Sequence, residues 1–249
     1  MLGESHAGWD KKARFLADAV GGTAEPLQPR FHASEHILAD GRTRGALREY
    51  LADAAGSPGL PDPVVRFRPL LEAARKIPGQ PFAVLAGGSL EPRDRDRALY
   101  SAFRESVADH NHRRPDNRIV RGIGGSYLIG ANHAARRSPD GASAATTTAL
   151  LESDGWPTRI VRFTVNAPIG EPIADESGET TYLPFEDARL EPLAGGAAID
   201  LLPILNRVAD GRIFHADLRA PESPFALVRE AGGASIPFNT LFDYVLHLP

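Results

Sequence analysis

Three short segments place acid–base side chains just beyond apolar or extended stretches: Leu2-Gly3-Glu4-Ser5-His6, Phe31-His32-Ala33-Ser34-Glu35-His36 and Tyr127-Leu128-Ile129-Gly130-Ala131-Asn132-His133. Between them they offer the carboxylates of Glu4 and Glu35 and the imidazoles of His6, His36 and His133. Carboxylates beside imidazoles can hold a divalent metal or take a proton from water. Glu35 and His36 are adjacent, so on an extended strand they point to opposite sides. Glu35 is therefore expected to face a shared site, with His36 touching it directly or supporting it from behind. Cysteine is absent, which removes disulfides, thiolate zinc sites and cysteine nucleophiles.

Groups this far apart in sequence need a scaffold that brings them together. An open parallel sheet does so, because the carboxyl ends of its strands share one edge. Helix and strand patterns alternate in the way such a sheet requires. Asp10 to Val20 carries Phe15, Leu16, Ala19 and Val20 at helical spacing, with Gly21 as a stop. Thr43 to Ala55 repeats the pattern, and Val64, Phe67, Leu71 and Ala74 continue it. Pro81 to Ala86 is a short apolar strand, followed by a helix through Ala98, Leu99, Ala102, Phe103 and Val107. Ser126 to Ala131 is a strand, Ala142 to Glu152 a helix and Arg159 to Val165 a strand. The expected fold is α/β: a mostly parallel sheet with helices on both faces, in a single domain over residues 1–249. Residues 1–165 form its core. Residues 166–196, rich in Pro, Gly and acids, are expected as a loop or lid over the site. Residues 197–249 supply a helix from Ile199 to Val208 and a closing strand from Thr240 to Leu246. The first strand holds little more than Met1 and Leu2 before its motif, so either it is a stub or the natural chain begins upstream.

Composition narrows the class. A net charge of −4 gives no electrostatic case for nucleic acid or an anionic membrane. No apolar run approaches the roughly 20 residues of a membrane span, and Met1-Leu2-Gly3-Glu4-Ser5-His6, without a basic region or apolar core, is not expected to act as a signal peptide. A cytoplasmic protein acting on a small molecule or a peptide is expected. Gly122-Ile123-Gly124-Gly125-Ser126 lacks the dinucleotide-binding register, no Walker Lys follows any glycine loop, and Gly-x-Ser-x-Gly is missing. His110 and His112 have metal-like spacing but fall in what reads as a polar loop after a helix, and are taken as solvated. Arg93, Arg95 and Arg97 open a helix as surface charge, and His32, His215 and His247 are taken as structural.

The order Gly-Glu-x-His, Glu-His and Gly-Ala-Asn-His resembles the superfamily joining erythromycin esterases, Tiki-type metalloproteases and ChaN-like haem-binding proteins, together with a C-terminal domain of some bacterial toxins. The likeness runs through Leu2-Gly3-Glu4-Ser5-His6, Glu35-His36 and Gly130-Ala131-Asn132-His133, and covers roughly residues 1–165. The esterases carry two residues between Glu and His where this chain has one. The resemblance implies a hydrolase in which Glu4, His6, Glu35 and His133 activate water, with or without a divalent metal, on an ester, lactone or peptide. It also admits a haem- or metal-binding protein without turnover, using His6 and His133 as ligands. A competing likeness sits at His36-Ile37-Leu38-Ala39-Asp40-Gly41, which is similar to half of the His-His-x-x-x-Asp-Gly signature of condensation-type acyltransferases. There His36 would be the general base. That reading leaves His6 and His133 without a role, and the chain is far too short for two acyltransferase lobes.

Overall fold

The computed structural model describes residues 2–4, 9–22, 29–34, 50, 65, 68–75, 82–84, 92–113, 115–121, 125–131, 136–137, 146–165, 173–174, 180–181, 189–231 and 235–249. Among them, seven strands build the largest sheet. These are β1 (Leu2–Glu4), β2 (Pro29–Ser34), β3 (Phe82–Val84), β4 (Gly125–Ala131), β5 (Val161–Val165), β10 (Phe214–Asp217) and β12 (Tyr244–Leu248), in the order β10-β12-β5-β1-β4-β2-β3. Strands β3 through β12 in that row run parallel, and β10 closes the edge antiparallel to β12.

The expectation of one mostly parallel sheet is corrected, because the sheets are mixed. The largest ends on an antiparallel strand. A second sheet, of β8 (Arg189–Pro192), β9 (Ile199–Asp200) and β11 (Val228–Glu230), is antiparallel throughout, and β6 (Ile173–Ala174) pairs antiparallel with β7 (Thr180–Thr181). The reason lies in the connections. A parallel return needs a crossover of a dozen or more residues, but only residues 193–198 join β8 to β9. Gly195 and Gly196 take φ of 88° and 139° there, values that favour glycine and let the chain reverse tightly. The expected lid over 166–196 thus contains three strands among its described residues. The helix that was expected from Ile199 begins two residues later, because Ile199 and Asp200 are spent on β9.

Helices follow their apolar spacing. In α1 (Trp9–Gly22) Lys12, Ala13 and Leu16 are buried. The next described helix, α2, is Arg68–Arg75, with Leu71 buried. In α3 (Pro92–Arg113) Leu99, Phe103, Val107 and His110 form the buried stripe at helical intervals. This helix runs through His110 and His112, so the expected polar loop is corrected: His110 is buried and only His112 is exposed. Thr146 caps α4 (Thr147–Ser153), its hydroxyl accepting the Ala149 N–H at 3.1 Å. In α5 (Leu201–Ala209) Leu201, Leu205 and Ala209 face inward. A short α6 (Phe238–Leu241) leads into β12. Of the expected helix from Thr43 only Tyr50 lies among the described residues; Val64 and Phe67 lie outside them, and Leu71 and Ala74 fall in α2.

Strand β5 sits in the middle of the packing. Its Phe163 meets Phe15 of α1 edge-on, with ring centroids 5.7 Å apart. Beside β5, a C-terminal core gathers Ile160, Leu190, Leu201, Leu205, Leu218, Phe238, Leu241, Phe242 and Val245. Arg162 is buried in contact with it. Its guanidinium lies 5.4 Å from the Phe238 ring and 5.3 Å from the Phe242 ring, and donates to Glu230 at 2.9 Å. Losing Glu230 would leave the buried Arg162 charge without its carboxylate, a change that costs about 3–5 kcal/mol in a buried pair.

Candidate functional site

The strands that lead into the three motifs are neighbours. Glu4 closes β1 in register with Ala131 of β4 and Phe163 of β5. Ser34 closes β2 in register with Ile129 of β4 and Val84 of β3. The row β2-β4-β1 is therefore unbroken, with adjacent backbones about 4.8 Å apart. The strands run parallel, so their carboxyl ends lie at one edge of the sheet. In sequence, His6 is two residues past Glu4, Glu35 follows Ser34 directly, and His133 is two residues past Ala131. His6, Glu35, His36 and His133, and the side chain of Glu4, lie outside the described residues.

Two described groups stand at this edge, one not singled out from the sequence and one built on a histidine taken there as structural. Lys12 is fully buried on α1, with its Nζ 5.7 Å from the centre of the Phe163 ring, the residue in register with Glu4. The signal was present: positions 12, 15, 16 and 19 form one helical stripe, and a lysine stands in it. Buried ammonium groups are expensive unless partnered, and Lys12 does have a partner.

The second group is a buried relay. His247 of β12 is in register with Thr164 of β5; its Nδ1 lies 2.9 Å from the Thr164 hydroxyl and its Nε2 2.8 Å from Asn206 Oδ1 on α5. With the amide oxygen of Asn206 as acceptor, Nε2 donates, and Nδ1 is left to accept from the hydroxyl. Burial lowers the pKa of His247, and the charge of Lys11 lowers it further, so the ring is held neutral. The order amide–imidazole–hydroxyl matches that of a base-activated nucleophile. Here it is sealed, with Thr164 only 5% exposed and His247 fully buried. Its effect is to lock β5, β12 and α5 together, which is the structural role expected of His247.

The opposite, amino edge is held by charge. Asp243, just before β12, accepts the Ile160 N–H at 2.8 Å and two bonds from Arg137, at 3.1 and 3.0 Å. Burial alone would raise the pKa of this carboxyl, but the Arg137 and Ile160 hydrogen bonds outweigh it and hold it low. Arg137 also reaches Glu152 at 3.2 Å.

Comparison with known family models, with curated proteins and with solved structures finds no match to this chain. The site must be argued from its own geometry. Among the described residues no group of three His, Asp or Glu side chains is placed to hold a metal ion. The residues expected to do so are those that lie outside them. No helix among the described residues is long and apolar enough to cross a membrane.

Proposed function

We propose that the chain is a hydrolase whose Glu/His cluster activates water at the carboxyl edge of the β2-β4-β1 row. One observation carries the reading: the three strands that end in Glu4, in Ser34 before Glu35, and in Ala131 before His133 are immediate, parallel neighbours. Motifs separated by about thirty and a hundred residues are thereby tethered to one edge. Covalent geometry limits each motif histidine to within roughly 7 Å of its neighbouring strand end, measured between Cα atoms.

In this reading His6 takes the proton from water, and Glu4 orients His6 or shares a divalent metal with it. Glu35 is the second carboxylate, with His36 beside it. His133 is a further ligand or stabilises the oxyanion that forms as water adds to the carbonyl. Lys12, buried near the register level of Glu4, stands close enough to this edge to bear on the charge that develops there. The substrate is an ester, lactone or peptide, and the setting a cytoplasmic one.

The test is a panel of ester, lactone and peptide substrates, run beside elemental analysis of the purified protein. Turnover that His6→Ala abolishes while circular dichroism is unchanged supports the assignment. A fully active His6→Ala protein beside a dead His36→Ala protein would transfer the role to His36. A Soret band with added haem that vanishes in His6→Ala, without any turnover, would make the site a binding module instead.

A further inference from the structure

On the amino side of β4 and β5, opposite the strand ends that lead into the Glu/His motifs, two open clefts of about 440 and 570 Å³ meet at Arg121 and Trp156. The smaller is walled by the last turns of α3, by residues 118–121 and by the turn after α4. Its walls are braced without any ligand. Asn111 grips Ile119 in both directions, donating to the carbonyl at 2.9 Å and accepting the N–H at 2.6 Å. Phe103 packs edge-on against Trp156 with centroids 5.3 Å apart, and the Arg121 guanidinium lies 5.8 Å from the Trp156 ring centre.

Charge in this cleft does not balance. Asp154 pairs with Arg121 at 2.9 Å and Arg104 at 3.6 Å, and also accepts from the Trp156 indole N–H at 3.3 Å. Two guanidiniums thus share one carboxylate. Arg118 and His112 line the same cleft, both exposed, with no ion pair or hydrogen bond among the described residues. Among the described lining residues, three arginines against one aspartate leave two positive charges, in a chain whose net charge is −4. Beside them stand the apolar side chains of Val107 and Ala108 and the partly exposed Trp156. The volume is in the range of small-molecule sites.

We propose that this cleft binds a small aryl phosphomonoester. A phosphomonoester carries about −1.5 to −2 charges at neutral pH, which matches the surplus. A single carboxylate would leave half of it uncompensated. Arg118 donates to the phosphate in the forked geometry guanidinium offers, and His112 donates from the same helix wall. Arg104 and Arg121 cover Asp154, the one carboxylate among the described lining residues. The aromatic portion lies against Trp156 and Val107. This site is independent of the hydrolytic reading, since it uses the opposite edge of the sheet and none of the same residues.

The chain has two tryptophans, Trp9 and Trp156, so in a Trp9→Phe background Trp156 emission reports the cleft alone. Phenyl phosphate, inorganic phosphate and phenol are titrated at constant ionic strength. Phenyl phosphate is expected to saturate with a dissociation constant below about 1 mM, inorganic phosphate to bind more weakly and phenol not at all. Arg118→Ala should weaken phenyl phosphate about tenfold, the range of a charge-assisted hydrogen bond, and His112→Ala severalfold. Both positions are exposed, and circular dichroism should show each variant folded. The proposal is overturned if phenyl phosphate fails to saturate at ten times that concentration. It is equally overturned if phenol gives the same response, or if both variants bind as the parent does.

Discussion

The two edges of the seven-stranded sheet use similar side chains in opposite ways. At the amino edge, Asp243 is saturated by the Ile160 N–H and by both forks of Arg137. At the carboxyl edge, β1, β2 and β4 end one beside another, each followed within two residues by Glu or His. A buried carboxylate already held by three backbone and guanidinium donors is committed to structure rather than to polarising water. It joins β12 to β5 instead. Residue type alone therefore does not mark a site; what matters is whether the surrounding backbone consumes the hydrogen-bonding capacity. The relay Asn206–His247–Thr164 makes the same point at the carboxyl edge, where a histidine in catalytic order is closed off by its neighbours.

The sharpest way to break this contrast is to remove one acid–base group from each edge. At the carboxyl edge His6→Ala should cut turnover about 10²–10⁴-fold, the usual contribution of positioned proton transfer, with the thermal midpoint nearly unmoved. At the amino edge Asp243→Ala should do the reverse. It leaves the Ile160 N–H without its side-chain acceptor and Arg137 with Glu152 alone among the described carboxylates, and denaturant unfolding should show a loss of about 1–3 kcal/mol. Kcat per folded molecule should be preserved. If His6→Ala lowers stability and Asp243→Ala lowers kcat, the assignment of roles to edges is wrong.

Asp243 also has a pH signature. Its folded pKa lies below the unfolded value near 3.9, so the unfolded chain takes up the proton first as acid is added. Its stabilisation is present above about pH 4 and disappears as pH falls through the folded value. Unfolding midpoints of the parent should drop through that range, and those of Asp243→Ala should drop less.

How much of this contrast the sequence reveals differs between the halves. Parallel pairing of β1, β2, β4 and β5 follows from helix–strand alternation, because each apolar run is separated from the next by helix-length, amphipathic sequence. The helix through Leu99, Phe103 and Val107 is legible for the same reason, its stripe being regular over three turns. Between Val165 and Leu201 the signals are turns rather than periods. Strands of two to four residues are too short to show alternation, and Gly195-Gly196 looks like loop composition until its positive φ values reveal a hairpin. Lys12 was hidden by its type, since a lysine within a helix reads as surface unless the stripe it occupies is taken at face value. Asp243 could not be read at all: its partners, Ile160 and Arg137, stand 83 and 106 residues away.

A second pH dependence should come from the carboxyl edge. His247 has a lowered folded pKa, so its neutral form supports the fold above the unfolded value near 6.5. As pH falls below that, the unfolded chain binds a proton the native state refuses. Stability is then lost at up to about 1.4 kcal/mol per pH unit until the folded pKa is reached. His247→Gln can keep one of the two bonds and has nothing to titrate, so it should flatten the profile between about pH 6.5 and the acid limb of Asp243. An unchanged slope in His247→Gln would assign the dependence to another group.

The smallest effect tests whether the two edges are independent. Thr146 caps α4, and α4 carries Glu152 and leads to Asp154, both of which sit in the amino-edge charge network. Thr146→Ala leaves the Ala149 N–H without its acceptor and should cost about 1 kcal/mol, with Thr146→Ser retaining most of it. The cap at the amino end reaches Arg137 and Arg121 only along α4, through Glu152 and Asp154 at its other end. Stability should therefore fall by that small amount while kcat/KM stays within about twofold. A parallel fall in kcat/KM, rescued by Thr146→Ser, would mean that the charge network at one edge sets the geometry at the other. The sheet would then act as a lever between them, and the separation of ordering edge from reacting edge would have to be given up.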